Sequence, residues 1–280
     1  MTSRFELTRN ITIGQYIPTG SVIHQFEASL KLLSFAILVV GIAICSSYTG
    51  NLILLAFSIA LFGIARIPIH YGISGIKPAL PFMIILSLMQ LLFYGQAAQG
   101  ETTLFQFGFI LITTSSVQLV IVSAMRFIEI ILVSSVLTLS TSTTEMTHGL
   151  EHLLKPLKYI KFPVYEFSLI ITIAIRFVPT FAMEMEKLMK AQASRGAEFG
   201  TGKWWQIVRK TKDTFPLIIP LFSSAMERAE DLILAMESRC YTPGLKRTSY
   251  RQYKIALRDF LLLIITTLFS IFIVFYKFTY

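Results

Sequence analysis

The sequence predicts an all-α integral membrane protein of about five transmembrane helices, joined to a long polar region of cytoplasmic and interfacial helices. Of its 280 residues, 54% are hydrophobic and 23 are Phe, and the mean hydropathy of +0.65 is too apolar for an ordinary soluble domain. The apolar residues gather into runs close to the ~20 that a helix needs to cross a ~30 Å hydrocarbon core. The charged residues gather elsewhere, with 18 of the 25 basic and 11 of the 16 acidic ones between positions 141 and 258.

Four runs follow one another at 30–47, 51–66, 79–95 and 117–140, and a fifth lies at 260–276. Positions 1–13 lack the continuous apolar core of a cleaved signal peptide, so the first run is expected to be retained. The turn at 47–51 and the linker at 95–118 carry no Lys or Arg, whereas 66–77 carries Arg66, Lys77 and His70. Basic loops stay in the cytoplasm. With Arg4, Arg9 and Lys31 also inside, four spans return the chain to the cytoplasm near Thr141. The expected protein is therefore a multi-pass cell-membrane protein with its N-terminus cytoplasmic and its C-terminus outside. Its parts are membrane helices at 1–140, a cytoplasmic region at 141–257 and a last membrane helix at 258–280.

The middle region holds two interrupted apolar runs. One, 164–182, contains Glu166, Arg176 and Pro179; the other, 215–225, contains Pro216 and Pro220. Basic residues flank the first on both sides, at Lys155, Lys158 and Lys161 and at Lys187 and Lys190. Crossing alone would place one of those flanks outside, so both runs are expected to lie along the inner face or pack beneath the spans, with a further pair of spans as the alternative. The net charge of +9 then reports topology and contact with anionic lipid, not nucleic acid. Two cysteines, Cys45 and Cys240, support neither a disulfide framework nor a cysteine metal site.

Within this region the pattern Glu-x-Leu-x-x-Ala-x-x-Ser-Arg occurs twice. It reads Glu186, Leu188, Ala191, Ser194, Arg195 and again Glu230, Leu232, Ala235, Ser238, Arg239. Met185, Leu188, Met189 and Gln192 form one amphipathic stripe, and Ala225, Ala229, Leu232, Ile233 and Met236 another. Gly196 can close the first helix in a left-handed cap, and Thr242-Pro243-Gly244 stops the second, so each Arg falls in a last turn. The helix dipole favours a cation there by about 0.3–1 kcal/mol, a sufficient structural reason for Arg. A guanidinium at a helix end can also make a bidentate bond to a partner's carboxylate.

These residues resemble the transmembrane T component of energy-coupling factor (ECF) transporters of the ATP-binding cassette class, over nearly the whole chain. The resemblance rests on Arg176-Phe177-Val178-Pro179, on Ala191-Gln192-Ala193-Ser194-Arg195-Gly196-Ala197, and on Arg228-Ala229-Glu230-Asp231 leading to Ala235-Met236-Glu237-Ser238-Arg239-Cys240-Tyr241. Gly14-Gln15-Tyr16-Ile17-Pro18 is similar to the family's N-terminal signature. The resemblance implies two long coupling helices whose ends, Ser194-Arg195-Gly196 and Ser238-Arg239-Cys240, contact acidic grooves on two ATPase subunits. It further implies that a separate substrate-binding S component docks on the apolar face of those helices and delivers vitamins or other micronutrients. The chain itself is implied to be non-catalytic, with ATP bound only by its partners. It departs from the family at Cys240, where Gly is common, and at Glu27-Ala28-Ser29-Leu30-Lys31, where the family often reads Asp-Pro-Arg-Thr-Lys.

Other chemistry is thin. The stretch 197–204 lacks the first Gly and the final Ser or Thr of a phosphate-binding loop. His148-Gly149-Leu150-Glu151-His152 matches a short zinc-peptidase spacing, but Leu150, Leu153, Leu154 and Leu157 read better as the apolar face of an interfacial helix. Arg126 and Glu129, three apart within a span, are expected to pair with each other. They also carry the alternative reading, an ion-coupled secondary transporter. Seven of ten Met lie between Met125 and Met236, a composition that suits either a surface for interchangeable S components or a helical core.

Overall fold

Residues 16–97, 103–107, 110–160, 162–196, 207–243 and 256–276 are described by a computed structural model. Arg4, Arg9, Gly14, Gln15, Lys161 and the stretch 197–204 lie outside them. The described helices are α1 (Ala28–Ile44), α2 (Tyr48–Ala65), α3 (Ile69–Ile76), α4 (Leu80–Ala97), α5 (Thr114–Ser140), α6 (Thr143–Leu154), α7 (Val164–Ser194), α8 (Ile207–Glu237) and α9 (Leu257–Phe275). Short 3-10 turns precede α1, join α3 to α4 and follow α6. A two-stranded antiparallel hairpin, β1 (Thr103–Phe107) with β2 (Ile110–Thr113), interrupts the helical pattern between α4 and α5. Nothing in the sequence reading anticipated it.

Five described stretches are long and apolar enough to cross a membrane: α2, the α3–α4 stretch Ile69–Phe93, α5, α7 and α9. The number matches expectation, and the set differs. Helix α1 stops at Ile44 because Cys45 turns to extended backbone (ψ 116), leaving 17 residues. Helix α7 qualifies because Glu166, Arg176 and Pro179, taken as interruptions, all lie inside one continuous helix of 31 residues. Pro216 and Pro220 are likewise carried inside α8. Each proline removes one backbone hydrogen bond without ending the helix.

The chain forms two compact units, Gly14–Leu153 with Gln252–Tyr280, and Leu154–Arg251. In the first, α1 and α9 run side by side in the same direction. At their starts one buried carboxylate serves both helices, since Asp259 accepts the Ala256 N–H at 2.7 Å and the Glu27 N–H at 3.2 Å. Higher up, Ser270 Oγ donates to the Ile37 carbonyl, and Gly41 lies against Ser270. A carboxylate at these two N-termini also suits the positive ends of both helix dipoles.

Helix α5 runs opposite to α1. Lys31 Nζ donates to the Ser140 carbonyl at one end, and the Arg126 guanidinium donates to the Cys45 carbonyl towards the other. The start of α5 is set by a capping box between Thr113 and Ser116. Two apolar clusters fill the space between the helices. Ile23, Phe62, Ala65, Ile67, Leu132, Val136 and Leu139 form one; Leu38, Ile42, Cys45, Leu54, Val133 and Ile273 form the other. Helical hydroxyls satisfy themselves on their own backbone, as in Ser58 to Leu54, Ser135 to Ile131 and Thr267 to Leu263. That is the solution a hydrocarbon surrounding demands. Phe82, Ile84, Ile85, Leu88 and Phe93 of α4 remain exposed, as lipid-facing side chains do.

Candidate functional site

The two repeat units end alike in three dimensions. Helix α7 stops at Ser194, Arg195 occupies its C-cap, and Gly196 takes a left-handed conformation (φ +89). Helix α8 stops at Glu237, Arg239 lies in the following turn, and Cys240 takes the left-handed conformation (φ +55). Closing bonds run from Gly196 N–H to the Ala193 carbonyl at 3.0 Å and from Cys240 N–H to the Glu237 carbonyl at 2.8 Å. A further bond from Tyr241 N–H to the Met236 carbonyl completes a Schellman-type closure in the second unit. Cys240 therefore preserves the backbone that Gly provides in the first motif.

All six motif residues, Ser194, Arg195, Gly196, Ser238, Arg239 and Cys240, are exposed. Neither Arg195 nor Arg239 makes a side-chain hydrogen bond or ion pair with another described residue. Two guanidinium groups held at helix ends by fixed backbone, with their donors uncommitted within the described chain, are suited to planar carboxylates on another molecule. The repeats diverge further back. Glu186 is buried and bonded to Lys190 at 2.6 Å, whereas Glu230 is exposed.

The two helices meet where Glu184 of α7 accepts from the Arg228 guanidinium and from Ser224 Oγ (3.0 Å) of α8. Sequence reading missed this pair. The repeat held its signal, because Arg228 stands at the position equivalent to Glu184 with opposite charge. Both helices also expose apolar side chains, Ile170, Val178 and Met183 on α7 and Ile219, Phe222, Met226 and Leu234 on α8.

The other sequence candidates have different surroundings. Arg126 and Glu129 do not form the expected mutual ion pair. Arg126 reaches across to α1, and both carboxylate oxygens of the fully buried Glu129 lack a hydrogen-bond partner among the described residues. His148 lies 3.7 Å from Glu151 on α6, and no group of three His, Cys, Asp or Glu among the described residues is placed to hold a metal.

The described part of the N-terminal signature has a structural task. Ile17 N–H donates to the Leu139 carbonyl, Thr19 Oγ1 donates to the Ala65 carbonyl, and His24 stacks edgewise on Tyr16. The divergent segment after it is equally engaged. Glu27 accepts from the Leu30 N–H to cap α1, and Lys31 Nζ bonds the carbonyls of His24 and Ser140.

Residues 19–250 match the protein family described as Cobalt transport protein, CbiQ. The chain is 36% identical over 263 residues to the energy-coupling factor transporter transmembrane protein EcfT of Streptococcus equi, covering 94% of this chain and 95% of the relative. It is 37% identical over 256 residues to the EcfT protein of Lactococcus lactis, covering 91% and 94%. With the EcfT protein of Ruminiclostridium cellulolyticum it shares 34% identity over 274 residues, covering 98% and 100%.

Proposed function

The chain belongs to the EcfT family of energy-coupling factor transporter transmembrane proteins, and on that premise we infer that it transmits ATP-driven motion from two ATPase subunits to a substrate-binding membrane S component. Arg195 and Arg239 are the ATPase contacts in this reading, and α7 and α8 are the coupling helices that carry them. The observation behind it is the duplicated ending: two exposed arginines, each on a helix terminated by the same left-handed closure. Specificity for a vitamin or other micronutrient resides in the S component, which docks on the apolar face of α7 and α8.

The charge distribution and the ends of the helices support one orientation. Since α1 and α9 begin beside each other at Glu27 and Asp259, a single crossing by α7 would bring the chain to the wrong end for α9. The 141–257 region therefore stays on one side or crosses in pairs. Its basic flanks support the cytoplasm, with α7 and α8 lying at the inner face. The N-terminus is then cytoplasmic and the C-terminus outside.

The reading is tested by co-purifying the full chain with two candidate ATPases, as wild type, Arg195→Glu, Arg239→Glu and the double variant, and by measuring ATP-dependent uptake in proteoliposomes. Assembly or uptake should fall with each reversal and most with both. Unchanged assembly and uptake would remove the assignment, and uptake needing neither ATP nor ATPase would favour a secondary transporter centred on Arg126 and Glu129.

A further inference from the structure

We propose that the turn between α6 and α7 is a binding site for the headgroups of anionic phospholipids in the inner leaflet, formed by Lys155, Lys158 and Tyr159. The charge there is one-sided. Between Glu151 and Glu166 the sequence carries Lys155, Lys158 and Lys161 and no Asp or Glu. Lys155–Ile160 forms a 3-10 helix, whose three-residue period stacks Lys155 and Lys158 on one edge, about 6 Å apart along the axis. Every residue from Lys155 to Tyr159 is exposed, and Tyr159 is 94% exposed. Neither lysine has a carboxylate partner among the described residues. Lys158 Nζ instead stands 5.4 Å from the centre of the Tyr165 ring, a cation–π contact that holds the ammonium in place and leaves its charge uncancelled.

The neighbours of the lysines select the partner. Leu157, Phe162 and Tyr165 are exposed beside them, and Phe162 packs edge to face with Phe167. An acidic protein groove would satisfy the lysines and leave these apolar groups in water. A bilayer interface satisfies both, because rings and lysine stems rest at the headgroup level while the ammonium groups reach phosphates. The lysines then choose the headgroup, since each one near an anionic surface strengthens binding by about fivefold. The turn is also tied to the helix that follows. Phe162 N–H donates to the Leu157 carbonyl, and Val164 N–H donates to the Phe162 carbonyl at 2.9 Å, so a lipid held by the turn holds the start of α7. Arg195 follows 31 helical residues later, ~46 Å along the axis at 1.5 Å per residue. One end of α7 is thereby fastened to the bilayer while the other is free to meet a soluble partner. The proposal rests on the reading that places α7 at the inner face, and not on the assignment of Arg195 and Arg239.

The test uses the full chain carrying Tyr159→Trp in a Trp204→Phe, Trp205→Phe background, in phosphatidylcholine nanodiscs with a minority of phosphatidylglycerol. Fluorescence of the introduced indole is compared when bromine is carried on the acyl chains of the phosphatidylglycerol or of an equal amount of the phosphatidylcholine. Quenching should favour phosphatidylglycerol by about tenfold or more, and added salt should weaken the preference. Lys155→Gln and Lys158→Gln should each reduce it about fivefold and the double variant should bring it near parity. Lys187→Gln, which removes a charge farther along α7, should leave it intact. An indole quenched by neither lipid would overturn the proposal together with the inner-face placement of α7. Equal quenching by both lipids would keep that placement and overturn the headgroup site. Loss of the preference in inorganic phosphate but not in chloride of equal ionic strength would assign the lysines to a free anion. Loss of quenching when the two ATPases bind would assign the turn to a protein contact; either result overturns the lipid site. A phosphatidylglycerol preference in protein whose Arg195→Glu and Arg239→Glu changes leave ATPase binding intact supports the lipid site and removes the ATPase assignment, and the opposite pattern does the reverse.

Discussion

Ser194 and Ser238 make the same bond one repeat apart: each hydroxyl donates to the carbonyl three residues earlier, Ala191 at 2.7 Å and Ala235 at 3.0 Å. The bond consumes the hydroxyl locally and occupies a carbonyl that the ending helix would leave free. The serines therefore shape the helix ends, and the arginines beside them are left to face outward.

Cys240 holds a left-handed conformation that costs a residue with a Cβ about 1–2 kcal/mol. Cys240→Gly should relieve that cost, partly offset by the greater chain entropy of Gly, for a net gain of up to about 1 kcal/mol. Cys240→Val and Gly196→Val should each destabilise the helix end. Hydrogen exchange of the Arg239, Cys240 and Tyr241 amides reads the effect, and slower exchange in Cys240→Val than in wild type would contradict it.

Gly149 packs against the entrance to α1, where an added Cβ would lie 2.8 Å from the Ala28 carbonyl carbon and 2.9 Å from the Ser29 nitrogen. Both are backbone atoms and cannot swing aside. Gly149→Ala should destabilise the purified protein by about 1–3 kcal/mol, as overpacking does. Gly63→Ala, with nothing within 4 Å of the new atom, should be neutral or favourable. Thermal denaturation of the two variants in the same detergent compares them directly.

His24 bonds the Ser21 hydroxyl at Nδ1 (2.7 Å) and donates from Nε2 to the Ile17 carbonyl (2.8 Å), an arrangement the neutral ring satisfies with Nδ1 as the acceptor. Burial holds its pKa below the usual 6.5, with Lys31 acting in the same direction and the Ile17 bond and Glu145 opposing. A depressed histidine contributes stability that is complete above the unfolded pKa and is lost as pH falls through the folded one. The apparent melting temperature should therefore drop between pH 7.5 and pH values below about 6. The drop should shrink in His24→Gln, and an equal drop in that variant would assign the effect to other groups.

Glu129 is fully buried on α5 without a hydrogen-bond partner among the described residues, while Arg126 is engaged with Cys45. Replacing an unpaired buried acid relieves its desolvation. Glu129→Gln should raise stability or leave it unchanged, within about 1–2 kcal/mol, and leave ATP-dependent uptake intact. Abolished uptake in a stable Glu129→Gln protein would instead point to a transport role for this carboxylate.

The membrane helices were legible because their apolar runs are nearly uninterrupted; α2, α4, α5 and α9 begin and end within about three residues of the expected positions, the usual uncertainty at helix ends. Helices α7 and α8 were harder, because Pro179, Pro216 and Pro220 read as breaks when neighbouring turns in fact carry the helix across them. The hairpin at 103–113 was hidden by its apolar composition, which blends with the flanking runs. The arginine endings were visible from the repeat and from Gly196. The left-handed Cys240 was not, since side-chain identity there argues against the backbone it adopts. Glu184 with Arg228, and Asp259 with Glu27, are contacts across 44 and 232 residues, and local periodicity does not encode such distances.

That last contact bears on how the protein is made. Helix α1 is synthesised well before α9, yet Asp259 accepts a backbone N–H at the start of each and Ile273 completes the cluster around Leu38 and Ile42. Until α9 is inserted, α1 waits in the bilayer with its Gly41 face uncovered and the Glu27 N–H short of its acceptor. Chains that stop before residue 257 should therefore be exposed to membrane quality control for want of their oldest helix's partner, even though every residue of both arginine endings has already been synthesised.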